Sequence, residues 1–321
     1  MKSLTLCLLW VACIPEGITQ IVKLDLHHPP SQVQIFGEAF VSTQLNERDF
    51  AVSPSGEEIF YTISLPRFTL QTIVRCLKLG DGNWSEPEVA PFSGRFSDLE
   101  ATFSADGKTI FFASNRPLEG HSPKDYDIWR VERTETGWGE PVNLGNVVNT
   151  EGNEFYPSVA QSGNLYFTAT RDHGVGAEDI FISRHENGRY LPPEPLDTAI
   201  NSKMYEFNAY VSPDEQFIIF SSYGRKDDMG GGDLYMSAKD DKGNWKPAVN
   251  LQMLNSSSLD YCPFVSSDGQ SLFFTSERHA LPSKVDIPAR LKDLKEYALQ
   301  VLNGGGNIYW IDFARVKQFI E

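Results

Sequence analysis

Five times along the chain an apolar, β-prone stretch runs into a short polar turn and out into a second, more continuously apolar stretch: AVSPSGEEIFYTI, ATFSADGKTIFFAS, PSVAQSGNLYFTAT, AYVSPDEQFIIFSS and PFVSSDGQSLFFTS. Two such runs around a tight turn predict a hairpin. The five align without gaps on Gly56, Gly107, Gly163, Glu215 and Gly269, where a hairpin turn favours glycine because φ is often positive. Glu215 breaks the rule and predicts a different turn type there. A third β-prone segment follows each hairpin, at 72–77, 127–131, 179–183, 233–237 and 307–312. In the first four repeats a fourth segment is marked by an aromatic and a proline: Trp84 with Pro87, Trp138 with Pro141, Tyr190 with Pro193, and Trp245 with Pro247. Proline suits an outermost edge strand.

Four antiparallel strands recurring about every 50 residues predict an all-β chain, a β-propeller of five four-stranded blades. An open stack of the same repeats would leave two uncapped apolar ends. The fifth repeat lacks its fourth strand, and the segment 38–46 resembles the fourth-strand regions 141–149 and 247–255, so an N-terminal strand is expected to close the ring. The domain is expected to span 38–321, with one insertion near 284–303. There Ile287, Leu291, Leu294, Ala298 and Val301 have helical spacing and predict a short helix packed on the propeller.

The net charge of −15 and a pI near 4.9 make nucleic acid and anionic lipid poor partners, since their counterions would not be displaced; cationic or neutral partners fit better. Residues 1–20 carry Lys2, an apolar run over 4–13, then Pro15, Gly17 and Gln20. This order predicts a signal peptide, too short to span a bilayer, and export to the periplasm or cell envelope. Cys13 offers a lipid attachment point, but Trp10 stands where a lipoprotein signal wants leucine. Cleavage near Gln20 leaves Cys76 and Cys262, too few for a disulfide framework.

The run S-x-D-G, hydrophobic strand, S-x-R is clearest in Ser104, Asp106, Gly107, Ser114 and Arg116, and again in Ser266, Asp268, Gly269, Ser276 and Arg278. Over residues 38–313 it resembles the WD-like repeats of TolB-type β-propellers. That resemblance implies six blades where the sequence counts five, and a periplasmic or cell-surface protein that grips protein or peptide partners at one mouth of its channel. Related repeats also occur in peptidase accessory domains and oligogalacturonate lyases, so the resemblance carries the fold further than the function.

Nine residues before the reference position every repeat holds an acid: Glu47, Asp98, Glu154, Glu206 and Asp260. The acid opens the innermost strand, so it lies at the end opposite the hairpin turn, together with the arginines that close the second strands: Arg67, Arg116, Arg171, Arg225 and Arg278. Paired, they would fix blade geometry; unpaired, the acids would receive a cation or a basic side chain. At the same end lie the variable loops 65–71, 115–126, 172–178, 223–232 and 279–305, where function usually sits on a repeated scaffold. They carry His121, His173 and His279 beside Asp227 and Asp228, residue types that ligate a divalent cation such as Ca²⁺ or Mn²⁺. Trp84, Trp138 and Trp245 hold a fixed place in the repeat, which argues for blade packing over sugar stacking. Legible catalytic motifs (G-x-S-x-G, H-E-x-x-H, a P-loop, C-x-x-C) are missing from the sequence. The expectation is a monomeric, non-enzymatic protein- or peptide-binding module. A carbohydrate-active lyase or hydrolase using the loop histidines and acids is the alternative.

Overall fold

The computed structural model describes residues 22–120, 122–285 and 287–320; the expected signal peptide and His121 lie outside them. Five antiparallel sheets of four consecutive ladder positions make five blades, not six. Blade 1 comprises Glu47–Val52, Glu58–Ser64, Gln71–Leu77 and Glu88–Val89, and blade 2 Asp98–Phe103, Thr109–Ser114, Asp127–Thr134 and Val142–Asn143. Blade 3 comprises Glu154–Val159, Leu165–Ala169, Asp179–Ser183 and Glu194–Pro195, and blade 4 Tyr205–Val211, Phe217–Tyr223, Asp233–Ala238 and Val249–Asn250. Blade 5 is built from Asp260–Val265, Ser271–Ser276, Asn307–Asp312 and, from the far end of the chain, Gln34–Ile35.

The middle strands of each blade are covered on both faces by neighbouring blades, which is why they read as unbroken apolar runs rather than alternating ones. Phe60, Phe92, Phe103, Phe112 and Trp138 of blades 1 and 2 form one such layer. Trp84 and Trp138 are buried in these layers and pack blades, whereas Trp245 is only partly buried against the core of its region, with Lys239 Nζ 4.8 Å from its ring centroid.

The ring closes as expected, but upstream of the expected place. Gln34 pairs with Trp310 and Ile35 with Tyr309, and the Phe36 N–H donates to the Ile308 carbonyl at 2.8 Å. Residues 38–46 turn the chain toward blade 1, with the Gly37 carbonyl accepting from the N–H groups of Phe40, Val41 and Ser42. Phe36 locks the seam by edge-on contacts to Phe50, Phe273 and Trp310 with ring centroids 5.0–5.2 Å apart.

Two further expectations need correction. All five hairpin turns are alike: the reference residue has φ between 58° and 89°, and its N–H donates to the carbonyl three residues back at 2.8–2.9 Å. Glu215 therefore accepts a left-handed backbone, and its carboxylate receives Ser162 Oγ, Asn164 Nδ2 and Tyr166 OH of blade 3 at 2.5, 3.1 and 2.6 Å. These bonds offset the strain and hold its carboxyl below the ordinary range despite burial. The insertion does carry a helix, Leu291–Leu299, but it is not packed: Leu291, Leu294 and Leu299 are exposed, as is Ile287 before it. The segment is anchored at its base, where Asn303 Nδ2 donates to the Gln44 carbonyl at 3.0 Å.

Candidate functional site

The repeated acids meet their arginines in four blades. Asp98–Arg116, Glu154–Arg171, Glu206–Arg225 and Asp260–Arg278 pair at 2.6, 3.1, 2.9 and 2.7 Å. Each guanidinium also lies over two rings, Arg116 over Phe112 and Trp129 and Arg278 over Phe274 and Tyr309, for example. One amino group of each reaches a carbonyl of the preceding outer turn, that of Phe92, Val148, Ile200 or Leu254. Acid and arginine thus clamp the entry turn to the blade they open. Blade 1 departs: Glu47 takes Thr43 Oγ1 at 2.5 Å and the Thr43 N–H at 3.1 Å, while Arg67 sits exposed in the short turn Pro66–Phe68. Burial raises the carboxyls of Glu47, Asp98 and Glu154 above their ordinary values. All five acids are buried, so none can touch a partner unless the blade opens.

Further along each innermost strand, the ladder slips by a bulge, between Arg48 and Ala51, Leu99 and Thr102, Phe155 and Ser158, Phe207 and Tyr210, and Tyr261 and Phe264. The residue two after each repeated acid takes a left-handed backbone: Asp49, Glu100, Tyr156, Asn208 and Cys262, with φ from 47° to 63°. No glycine stands there, so each position carries strain of about 1–3 kcal/mol, and the bulge re-aims its side chain. The strain is supported from the preceding blade. The N–H groups of Asp49, Glu100 and Asn208 donate to Thr275, Thr62 and Thr168 Oγ1 at 3.1–3.3 Å. Blade 2 has Ala113 at that register position, and the Tyr156 N–H turns instead to Glu100 Oε2 at 2.7 Å.

These bulge residues knit into a buried polar plug. Arg48 donates through Nε to Asp49 Oδ1 and through Nη2 to Glu100 Oε1, both at 2.7 Å, and its guanidinium lies 5.1 Å from the Tyr261 ring centroid. Asn208 Nδ2 donates to Glu100 Oε1 at 3.1 Å, and Cys262 Sγ donates to Asp49 Oδ1 at 2.7 Å. Burial pushes Glu100 up to about 8 against the pull of Arg48, and burial also holds Cys262 as a thiol. Ligand atoms of Asp49, Glu100 and Cys262 lie within 4.8 Å of one another. Arg48 bonds to all three, so a guanidinium already supplies the positive charge this trio calls for.

Above the plug, on the loop face, opens a funnel of about 360 Å³. Its wall is the residue after each repeated acid: Arg48, Leu99, Phe155, Phe207 and Tyr261. Its rim is the residue that enters the third strand, Gln71, Tyr126 and Glu178, with Phe68 leaning in from the first loop. The half-buried Glu178 carboxylate accepts no hydrogen bond from any described residue. Burial and the neighbouring Asp179 both raise it, to about 7. A second funnel of about 280 Å³ opens at the hairpin-turn end, lined by Pro54, Phe103, Tyr210, Pro213 and Phe264 among others. Its described lining residues include no carboxylate.

The loop residues expected to ligate a metal do not converge among the described residues. His173 is exposed with its ring edge on Phe181, and exposed His279 accepts the Leu281 N–H at 3.2 Å. Asp227 takes the Tyr235 hydroxyl at 2.9 Å, and Asp228 takes the N–H groups of Gly224 and Gly230 at 2.8 and 3.1 Å. Both acids shape their own loop.

No protein-family model and no curated protein matches the sequence. Among solved structures the protein is similar to BT0996 in a structure described as an RGII complex, with a TM-score of 0.51 at 7% identity over 91% of each polypeptide. It is also similar to a protein assigned as TolB from Agrobacterium tumefaciens (0.48, 16% identity, 84% of this protein and 91% of that one). A third is the α-L-arabinofuranosidase PaAbf62A from Podospora anserina in complex with cellotriose (0.49, 10% identity, 89% and 94%). At these identities the likeness is one of fold, a β-propeller, and does not separate binder from enzyme. Among the described residues no helix is long and apolar enough to cross a membrane.

Proposed function

We propose that this chain is an exported TolB-like propeller that works as a monomer and binds a protein or peptide at its loop face, without chemistry of its own. The observation that carries the reading is the asymmetry between the two ends. Phe68, Leu118, Tyr205, Tyr223 and Met229 are exposed apolar side chains on loops or strand ends at the funnel's end, and the insertion in blade 5 adds Ile287, Leu291 and Leu294. Apolar groups gathered at one end of a molecule are what a protein partner covers, and a chain of net charge −15 steers cationic ones toward it. The repeated acids and arginines keep the face in shape rather than contacting the partner.

Selection of a random displayed peptide library on the immobilised chain tests this. Selected peptides should lose binding to a Phe68→Ser/Leu118→Ser/Tyr223→Ser variant, and equal binding to wild type and variant would place the partner elsewhere. A second reading, a carbohydrate-active enzyme, is favoured by one observation: Glu178 and Glu100, both raised toward neutrality, line the same funnel. A glycan turnover screen with metal analysis decides it, and turnover abolished by Glu178→Gln would replace the binding reading.

A further inference from the structure

We propose that the loop-face funnel is a seat for a single cationic side chain, lysine or arginine, presented by the partner and neutralised by Glu178. The inference rests on the binding reading above and names the chemistry it recognises. The funnel's volume of about 360 Å³ lies at the small end of ligand pockets, the scale of one long side chain rather than a folded surface. Its lining includes the rings of Phe68, Tyr126, Phe155 and Phe207, and aromatic rings attract a cation through their quadrupoles. Tyr261 is already taken, since Arg48 covers it.

Charge decides between a cation and an anion. Among the described residues lining the funnel Arg48 is the only basic one, and its charge is matched by Asp49 at 2.7 Å, with Glu100 bonded to it at the same distance. Among the described residues no such match exists for Glu178. Its carboxyl is raised by burial and by Asp179, with no positive group acting to lower it. A half-buried carboxylate among rings, without a counter-charge, is a site whose ionised form costs free energy until a cation arrives. The apolar stem of lysine or arginine would lie along the rings while the head meets the acid.

This arrangement predicts proton linkage. The titratable and charged groups around Glu178 are Asp179 beside it, Lys203, Tyr205 and Glu206 on the segment bonded to its own, and, across the funnel, Arg48, Glu100, Tyr126 and Tyr261. With Glu178 near 7, the ionised fraction rises about tenfold from pH 6 to pH 8, and cation affinity should rise with it. Ionisation of Glu100 acts in the same direction, and whatever pH dependence survives in Glu178→Gln is its share.

The test uses capped tripeptides Ac-Ala-X-Ala-amide, with X lysine, arginine, methionine or glutamate, titrated into the full chain and followed by NMR. Lysine and arginine peptides should bind about tenfold more tightly at pH 8 than at pH 6, and Glu178→Gln, checked for an unchanged fold by circular dichroism, should lose that gain. Methionine binding as well as lysine would make the seat merely apolar, and glutamate binding best would make Arg48 the recognition group. Either result, or no binding by any peptide, overturns the proposal. If library-selected peptides still depend on Phe68, Leu118 and Tyr223 while Glu178→Gln leaves them unaffected, the cation seat fails and the binding face stands.

Discussion

Replacing Asp98 with alanine tests what the repeated acids do. Asp98 is fully buried and accepts Ser114 Oγ at 2.6 Å, Ser93 Oγ at 2.9 Å and Arg116 Nη2 at 2.6 Å. In Asp98→Ala, Arg116 stays wedged between Phe112 and Trp129 with only the Phe92 carbonyl and Ser114 Oγ as partners. Leaving one member of a buried pair uncompensated costs about 3–5 kcal/mol. At about 2.1 cal/mol/K per residue over roughly 300 residues, the unfolding entropy is about 0.6 kcal/mol/K, so the midpoint should fall by roughly 5–8 °C in calorimetry. Asp98→Ala/Arg116→Met removes the stranded charge and refills the gap between the rings, and should recover more than half of that loss. Peptide binding should survive in both variants below their midpoints. A midpoint within about 1 °C of wild type, or binding lost by a folded Asp98→Ala protein, would refute the framework role.

Blade 1 provides an internal control: Glu47→Gln, which strands no arginine, should cost about 1 kcal/mol in urea denaturation, and Glu154→Gln about 3. Glu215→Ala should destabilise more than Glu215→Gly, since both lose the bonds from Ser162, Asn164 and Tyr166 but only alanine keeps the left-handed strain; the reverse order would mean the turn relaxes. Phe36→Ala should cost about 3–5 kcal/mol by opening the seam of the ring, and a change below 1 would show that the N-terminal strand is not needed for closure. Glu178 has a folded pKa raised to about 7, so its stabilising contribution is complete below the unfolded value near 4.5 and is lost as pH rises through 7. Glu178→Gln should therefore melt higher than wild type at pH 8 and no higher at pH 4, and equal midpoints at both would mean the carboxyl is well solvated.

The scaffold was legible because it repeats. All five third strands begin within one residue of their expected starts, and the acid–arginine pairing follows from spacing in four blades. What escaped is what depends on another blade. The closing strand is two residues long, and its pairing with Tyr309 and Trp310 leaves no local mark. Glu215 reads as a misfit until its three donors on blade 3 are seen. Helical spacing at 287–301 announces an amphipathic segment but not whether anything covers it. The funnel escaped for the opposite reason to the acids. Its walls and floor come from the two positions after each acid, where only Phe155 and Phe207 share a residue type at the same register, and a search for repetition passes over them. Variation at fixed register beside a strict repeat is the signal that would have found them.

Partners should bind the end bearing the loops and funnel. A photo-crosslinking residue placed singly at Phe68, Leu118 or Tyr223 on that end, and at Ser55, Asp106 or Asp214 on the hairpin-turn end, reads it directly in the native host. All six positions are exposed. One common crosslinked partner is expected from the first three sites and none from the last three; crosslinks arising mainly from the hairpin turns would place the partner at the opposite end.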